Sequence, residues 1–103
     1  VKDRSLGSFV ADIVSNGDIH FPIDNVAVKI LPPAYAFGPH AHRFIEVDFI
    51  EEGACGMLFG TEYVKLAAND CILIFPDVSH YFFTRARSGC TLVQVEFAAE
   101  NLP

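Results

Sequence analysis

The chain has 103 residues, room for one domain and not for two. Apolar residues make up 51% of it and ten residues are phenylalanine, which excludes a disordered chain, since those are poor in aromatics. The formal net charge is −6 and the seven Lys and Arg residues are scattered, so the clustered cations that grip phosphates are missing and direct contact with nucleic acid is not expected.

The opening VKDRSLGSF is polar, lacks the apolar centre of a signal peptide, and reads over residues 1–8 as a flexible arm. No apolar run approaches the roughly 18–20 residues that a bilayer crossing needs. The expectation is a soluble, cytoplasmic protein with no membrane partner. The chain opens at Val1 rather than methionine, which is read as an excised or processed piece of a longer protein.

SFVADIV (8–14) reads as a strand and NGD (16–18) as its turn, with His20 exposed just beyond. VAVKIL (26–31) is a second strand, stopped by Pro32-Pro33. FIEVDFIEE (44–52) ends at Gly53 and is followed by ACGMLF, a Gly60-Thr61 turn and EYVKLA. After the Asn69-Asp70 turn, CILIF runs to Pro76-Asp77, HYFFTRA to Ser88-Gly89, and CTLVQVEF closes the pattern at 90–97. AAENLP then reads as the start of a linker at 98–103, leaving 9–97 for the domain. Helical periodicity is absent, and a series of short strands separated by turn signals predicts an all-β sandwich or barrel. Cys55, Cys71 and Cys90 fall in strand-like segments without a C-x-x-C, so all three are expected to be buried, reduced thiols.

The chemistry concentrates in GPHAHRFIEVDFIEEG (38–53). Strand residues alternate faces, so a single strand would turn His40, His42, Phe44 and Glu46 to one side. Two imidazoles and a carboxylate on one buried face are unfavourable unless they are paired or bind something. The alternative is a solvated placement of His40 and His42 at a barrel mouth.

The spacing His40-x-His42-x3-Glu46-x6-Gly53 resembles the first signature of the cupin family, with Ala34 where the usual leading glycine stands. The second cupin signature, G-x5-P-x-G-x2-H-x3-N, is matched strictly only at His80. Asn69 and Asp77 take its two glycine places, Phe75 the proline's (Pro76 lies one later) and Thr84 the asparagine's. Asn is the best non-glycine substitute where φ is positive. The resemblance covers roughly residues 36–97 and implies a double-stranded β-helix, or jelly-roll barrel, of about eight strands. It also implies that His40, His42, Glu46 and His80 converge as metal ligands. Three imidazoles and a carboxylate suit divalent Fe, Mn, Ni or Zn and leave open positions. Many cupins instead keep such residues as hydrogen-bonding groups in a metal-free pocket.

PHAHRFIEVDFIEEGACGMLFGTEYVKLAANDCILIFPDVSHYFFT is similar, in its order of motifs, to the N-terminal effector-binding domain of AraC-type transcription regulators. That resemblance implies a homodimer whose barrel holds a small effector, a sugar or small organic acid. DNA contact would belong to a separate C-terminal helix-turn-helix domain. The implied ligand-binding residues are His40, His42, Phe44, Glu46, His80 and Phe82, the two phenylalanines being either pocket wall or barrel filling. Asp48 shares their parity but is open to being turned outward by a bulge. The Thr84 hydroxyl is either a ligand contact or incidental to a strand former. Tyr63 and Lys65 read as outward. A binding module is therefore expected ahead of an enzyme. The rival is a stand-alone metal-dependent cupin enzyme of dioxygenase or isomerase type, and a weaker third reading is a storage or scaffold cupin with a closed apolar lumen.

Overall fold

The run from Phe44 to Phe59 organises the molecule. In the computed structural model, which describes residues 23–98, this run is one strand of 16 residues rather than two broken at Gly53. The strands are β1 (Asn25–Leu31), β2 (Ala36–His40), β3 (Phe44–Phe59), β4 (Glu62–Ala67), β5 (Cys71–Ile74), β6 (His80–Thr84) and β7 (Cys90–Ala98). The first half of β3 pairs antiparallel with β7 and β5, and its second half with β4 and β6. β1 extends the first half-sheet through β7, and β2 extends the second through β6. The result is the expected all-β architecture, a curled half-barrel of jelly-roll type, with seven strands among the described residues. β7 runs one residue further than expected, to Ala98, which pairs with Phe44. The expected arm, the strand at 8–14 with its turn, His20 and the linker from residue 99 lie outside the described residues. Among the described residues no helix is long and apolar enough to cross a membrane.

The corner between the half-sheets is built by a bulge between Ile50 and Glu52 and by Gly53 at φ 82°. A bulge adds a residue to one strand and so reverses its parity. Before it the even residues Glu46, Asp48 and Ile50 face the lumen; after it the odd residues Cys55 and Met57 do. The lumenal core joins Ile50, Cys55, Met57, Leu66, Ile74, Phe82, Cys90 and Leu92. The opposite face of the first half-sheet carries a second cluster of Phe49, Val93 and Val95. Asp48 is therefore inward, since the bulge falls after it rather than before it.

Three residues standing where the cupin signatures have glycine adopt the positive φ that glycine takes freely. Ala34 has φ 57°, Asn69 φ 75° and Asp77 φ 65°. The Ala34 turn is fastened by Ala34 N–H to Arg85 O at 2.7 Å and by Thr84 N–H to Tyr35 O at 2.8 Å. Thr84 belongs to the same fastening: its hydroxyl donates to Pro32 O at 2.7 Å and accepts from Tyr35 N–H at 2.8 Å. Both of its bonds are thus spent on the chain, so its role is structural.

Cys55 and Cys90 are buried as expected, but Cys71 is exposed on the outer face of β5, where its neighbour Phe49 does not cover it. Burial, with the adjacent Cys90, pushes the Cys55 thiol up to about 12.

Two measurements test these features. A Cβ on Gly53 would meet Gly89 O at 2.3 Å as well as adopting a positive φ, so Gly53→Ala is expected to destabilise by about 2–4 kcal/mol in a denaturant titration. The exposed Ala34 carries backbone strain alone, so Ala34→Gly is expected to stabilise by about 0.5–1 kcal/mol. In mass spectrometry after alkylation, the native protein is expected to label at Cys71 only and the denatured protein at all three cysteines.

Candidate metal centre

The four residues singled out by spacing meet, but not by the expected route. His40 ends β2, His42 lies in the link to β3, and Glu46 is on β3, so they do not share one strand. The GPH segment pairs with β6 instead, placing His40 directly across from His80. The link turns His42 inward and is held by Asp77 N–H, which donates to His42 O at 2.7 Å. The positive φ of Asp77 aims that N–H.

One ligand atom from each of His40, His42, Glu46 and His80 lies within 4.8 Å of every other. Ring centroids of His40 and His80 are 4.3 Å apart, and those of His42 and His80 5.1 Å. Glu46 Oε1 stands 2.8 Å from His42 Nε2 and 3.9 Å from His80 Nε2. Glu46 and His80 are 3% and 2% exposed while His42 is 17% exposed, so the cluster runs from the interior towards the mouth.

The donor set fits a transition-metal ion. His80 Nδ1 donates to Val78 O at 2.9 Å, which fixes the tautomer and leaves Nε2 with a lone pair. That Nε2 is buried without a partner, as is His40 Nδ1. His42 contacts oxygen acceptors at both nitrogens, Phe44 O at 3.2 Å and Glu46 Oε1 at 2.8 Å. A neutral ring has one N–H, so both contacts are favourable together only with a second proton or a cation between Nε2 and the carboxylate. Two ligand atoms about 2.1 Å from one ion stand about 3 Å apart at a right angle and about 4.2 Å apart across it. The observed separations match that scale once the widest closes by about half an ångström.

Electrostatics favour the ligand forms. Burial, then repulsion by His80 and His42, lowers the His40 pKa and keeps the ring neutral. Burial alone would raise Glu46, but hydrogen bonds from Asp48, Gln94 and His42 outweigh it and hold the carboxyl below its usual range. Asp48 is pushed up to about 9 by burial and by the Glu46 carboxylate beside it.

His40, Glu46 and His80 open on a cavity of about 240 Å3, which His42 does not line. Phe82 lines it beside Met57 and Leu92, as pocket wall. Phe44 flanks the His42 ring, centroids 6.2 Å apart, and does not line the cavity. Tyr63 is exposed and stacks on Phe83 at 5.8 Å, outward as expected, and Lys65 is also exposed. Gln94 and Glu96 of β7 also line the cavity and were not singled out by sequence reasoning. Their signal was present as Q and E alternating with Val93, Val95 and Phe97.

Solved structures share this architecture. A Cupin 2 conserved barrel domain protein from Salinispora arenicola superposes with a TM-score of 0.67 at 16% identity, covering 73% of this chain and 63% of that one. A cupin protein from Bacteroides fragilis gives 0.71 at 20% identity, covering 85% and 76%. A cupin-like protein from Thermotoga maritima gives 0.68 at 15% identity, covering 76% and 59%. The chain thus spans less than two thirds of the Salinispora and Thermotoga proteins. At such identities the superposition shows the fold alone, a cupin-like jelly-roll barrel. The model of the AraC-like ligand binding domain matches residues 31–103, and the chain belongs to that family. No curated protein matches the chain.

The expectation that a binding module stands ahead of an enzyme is corrected by the cluster itself. A convergent His/His/Glu/His set, with Glu46 and His80 buried and His40 and His42 half-buried, is the kind of site metal enzymes use.

Proposed function

We propose that His40, His42, Glu46 and His80 hold one divalent ion, of the Fe, Mn, Ni or Zn kind, and that the domain acts on a small substrate as a metal-dependent cupin enzyme of dioxygenase or isomerase type. The observation that carries this reading is the convergence of one ligand atom each from His40, His42, Glu46 and His80 within 4.8 Å of one another, with the buried His80 Nε2 lacking a hydrogen-bond partner 3.9 Å from the Glu46 carboxylate. Bound there, the ion supplies Lewis-acid polarisation of a substrate oxygen. The chain supplies the rest. Val78 O orients His80, Phe44 O orients His42, and the Met57–Phe82–Leu92 wall excludes water. At about 240 Å3 the cavity is below the roughly 300–1,000 Å3 of pockets for drug-sized ligands, so the substrate is small.

Elemental analysis of the natively purified protein is expected to find close to one transition-metal ion per chain, lost in His80→Ala and Glu46→Gln. Stripping the metal with a chelator is expected to lower Tm by about 10 °C or more, because an ion at 100 times its Kd contributes about 2.7 kcal/mol. A wild-type protein that neither carries nor takes up a metal ion overturns the reading.

The family match supports a second reading of the same cavity, as the effector-sensing domain of an AraC-type transcription regulator. A homodimer, and DNA contact through a separate helix-turn-helix domain, belong to that reading. The wall, with Phe82 and Tyr35 beside polar groups, suits a sugar or small organic acid. It predicts that monosaccharides or small carboxylic acids raise Tm by several degrees in a thermal-shift panel without being converted. Turnover of the stabilising compound returns the case to the enzyme.

A further inference from the structure

Resting on the metal-centre reading, we propose that Glu96 is a fifth protein donor to the ion, and that the centre it completes selects an uncharged oxygen ligand over an anion. One row of cross-strand partners carries the placement: Asn25 on β1 lies opposite Glu96 on β7, and Glu96 lies opposite Glu46 on β3. Partners facing each other across a ladder have Cβ atoms about 4.5–5.5 Å apart, so the two carboxylates rise side by side from the same inward face.

The Glu96 head group is oriented. Asn25 Nδ2 donates to Glu96 Oε1 at 3.2 Å, which leaves Oε2 turned to the cluster, 3.7 Å from His42 Nε2. That separation, to His42 alone, is within the span of two ligands on one ion, about 4.2 Å across it; Glu96 stands outside the four whose ligand atoms lie within 4.8 Å of one another, so its carboxylate swings inward to bind. Glu96 is 17% exposed, as is His42, so the pair stands on the mouth side where an ion and its substrate arrive.

The charge balance gives the selectivity. With Glu46 as sole carboxylate, a divalent centre keeps a net charge of about +1 and attracts anions. A second carboxylate neutralises it in a partly dry site, where Coulomb terms are strong. Lys29, at the cavity's rim, is exposed to solvent and does not restore the charge at the ion. A small hydroxyl or carbonyl compound then binds the remaining position better than a carboxylate does.

The test loads wild type, Glu96→Gln and Glu96→Asp with Co2+, using visible absorption for coordination number and titration for Kd, with azide as the anionic probe. Glu96→Gln keeps the Asn25 contact and the side-chain shape. The expected result is Co2+ affinity lower by about tenfold or more, stronger visible bands as the coordination number falls, and azide binding at least tenfold tighter than in wild type. Glu96→Asp, too short to reach the ion, is expected to show the same change in the bands. Should Glu96→Gln fail to fold by circular dichroism, the bands of Glu96→Asp decide. Bands and Kd indistinguishable from wild type in the folded variants overturn the fifth donor and leave the metal centre standing. A wild type that takes up no Co2+ overturns both.

Discussion

The fold depends on one kink. β3 is too long to lie flat in a single sheet, and the bulge at Ile50–Glu52 with Gly53 bends it so that one strand serves two half-sheets. The bend reverses side-chain parity at the point where the strand changes partners. Without that reversal Cys55 and Met57 would leave the lumen on the far side of the corner, and the core that joins them to Ile50 and Leu92 would be cut in two. The corner has no room for a side chain: the Gly89 backbone crosses directly against Gly53. Everything that brings His80 on β6 against Glu46 on β3 follows from this closure.

The strands were legible where residue type and turn chemistry agreed. VAVKIL, EYVKLA and CTLVQVEF are each a β-branched or aromatic run bounded by a turn residue, and each is a strand within a residue or so of its expected ends. β2 was not legible, because AFGPH contains a glycine and a proline, both poor strand formers. Pairing of Ala36 and Phe37 with Phe83 and Phe82 overrides that local preference. Gly53 misled in the opposite direction: read as a terminator, it is a corner inside a strand.

The candidate site was legible as a list of residues and not as a route. Spacing singled out His40, His42, Glu46 and His80, and their convergence survives although the shared strand does not. The degenerate signature positions explain why. Ala34, Asn69 and Asp77 hold the left-handed backbone that glycine would have taken freely. The geometry that positions the cluster outlasted the residues that ordinarily mark it, and Asp77 still delivers its N–H to His42 O. What stayed hidden was the β7 contribution. Alternation in TLVQVEF is plain, but a sequence does not say which side is wet. In a sheet with one solvated face the polar residues point out. Here Val93 and Val95 pack in a second apolar cluster while Gln94 and Glu96 face the cavity. A barrel with polar groups lining its lumen inverts the usual inference.

That inversion is also the strongest physical argument for a cation. Glu46 and Asp48 are both nearly inaccessible, Glu96 stands beside them, and Lys29, the one Lys or Arg on the cavity lining among the described residues, is exposed. Two carboxyl groups, Glu46 and Asp48, crowded in a low-dielectric space do not both ionise at ordinary pH without compensation. Asp48 responds by holding its proton, pushed up to about 9. Glu46 does not: its carboxyl is held below the usual range, bonded to His42 Nε2 and 3.9 Å from the unpartnered His80 Nε2. A site built only to be stable would have replaced such groups with apolar side chains of similar volume. With one carboxyl neutral, one ionised and four ligand atoms within 4.8 Å of one another, the space has the charge and donors that could coordinate a divalent metal ion.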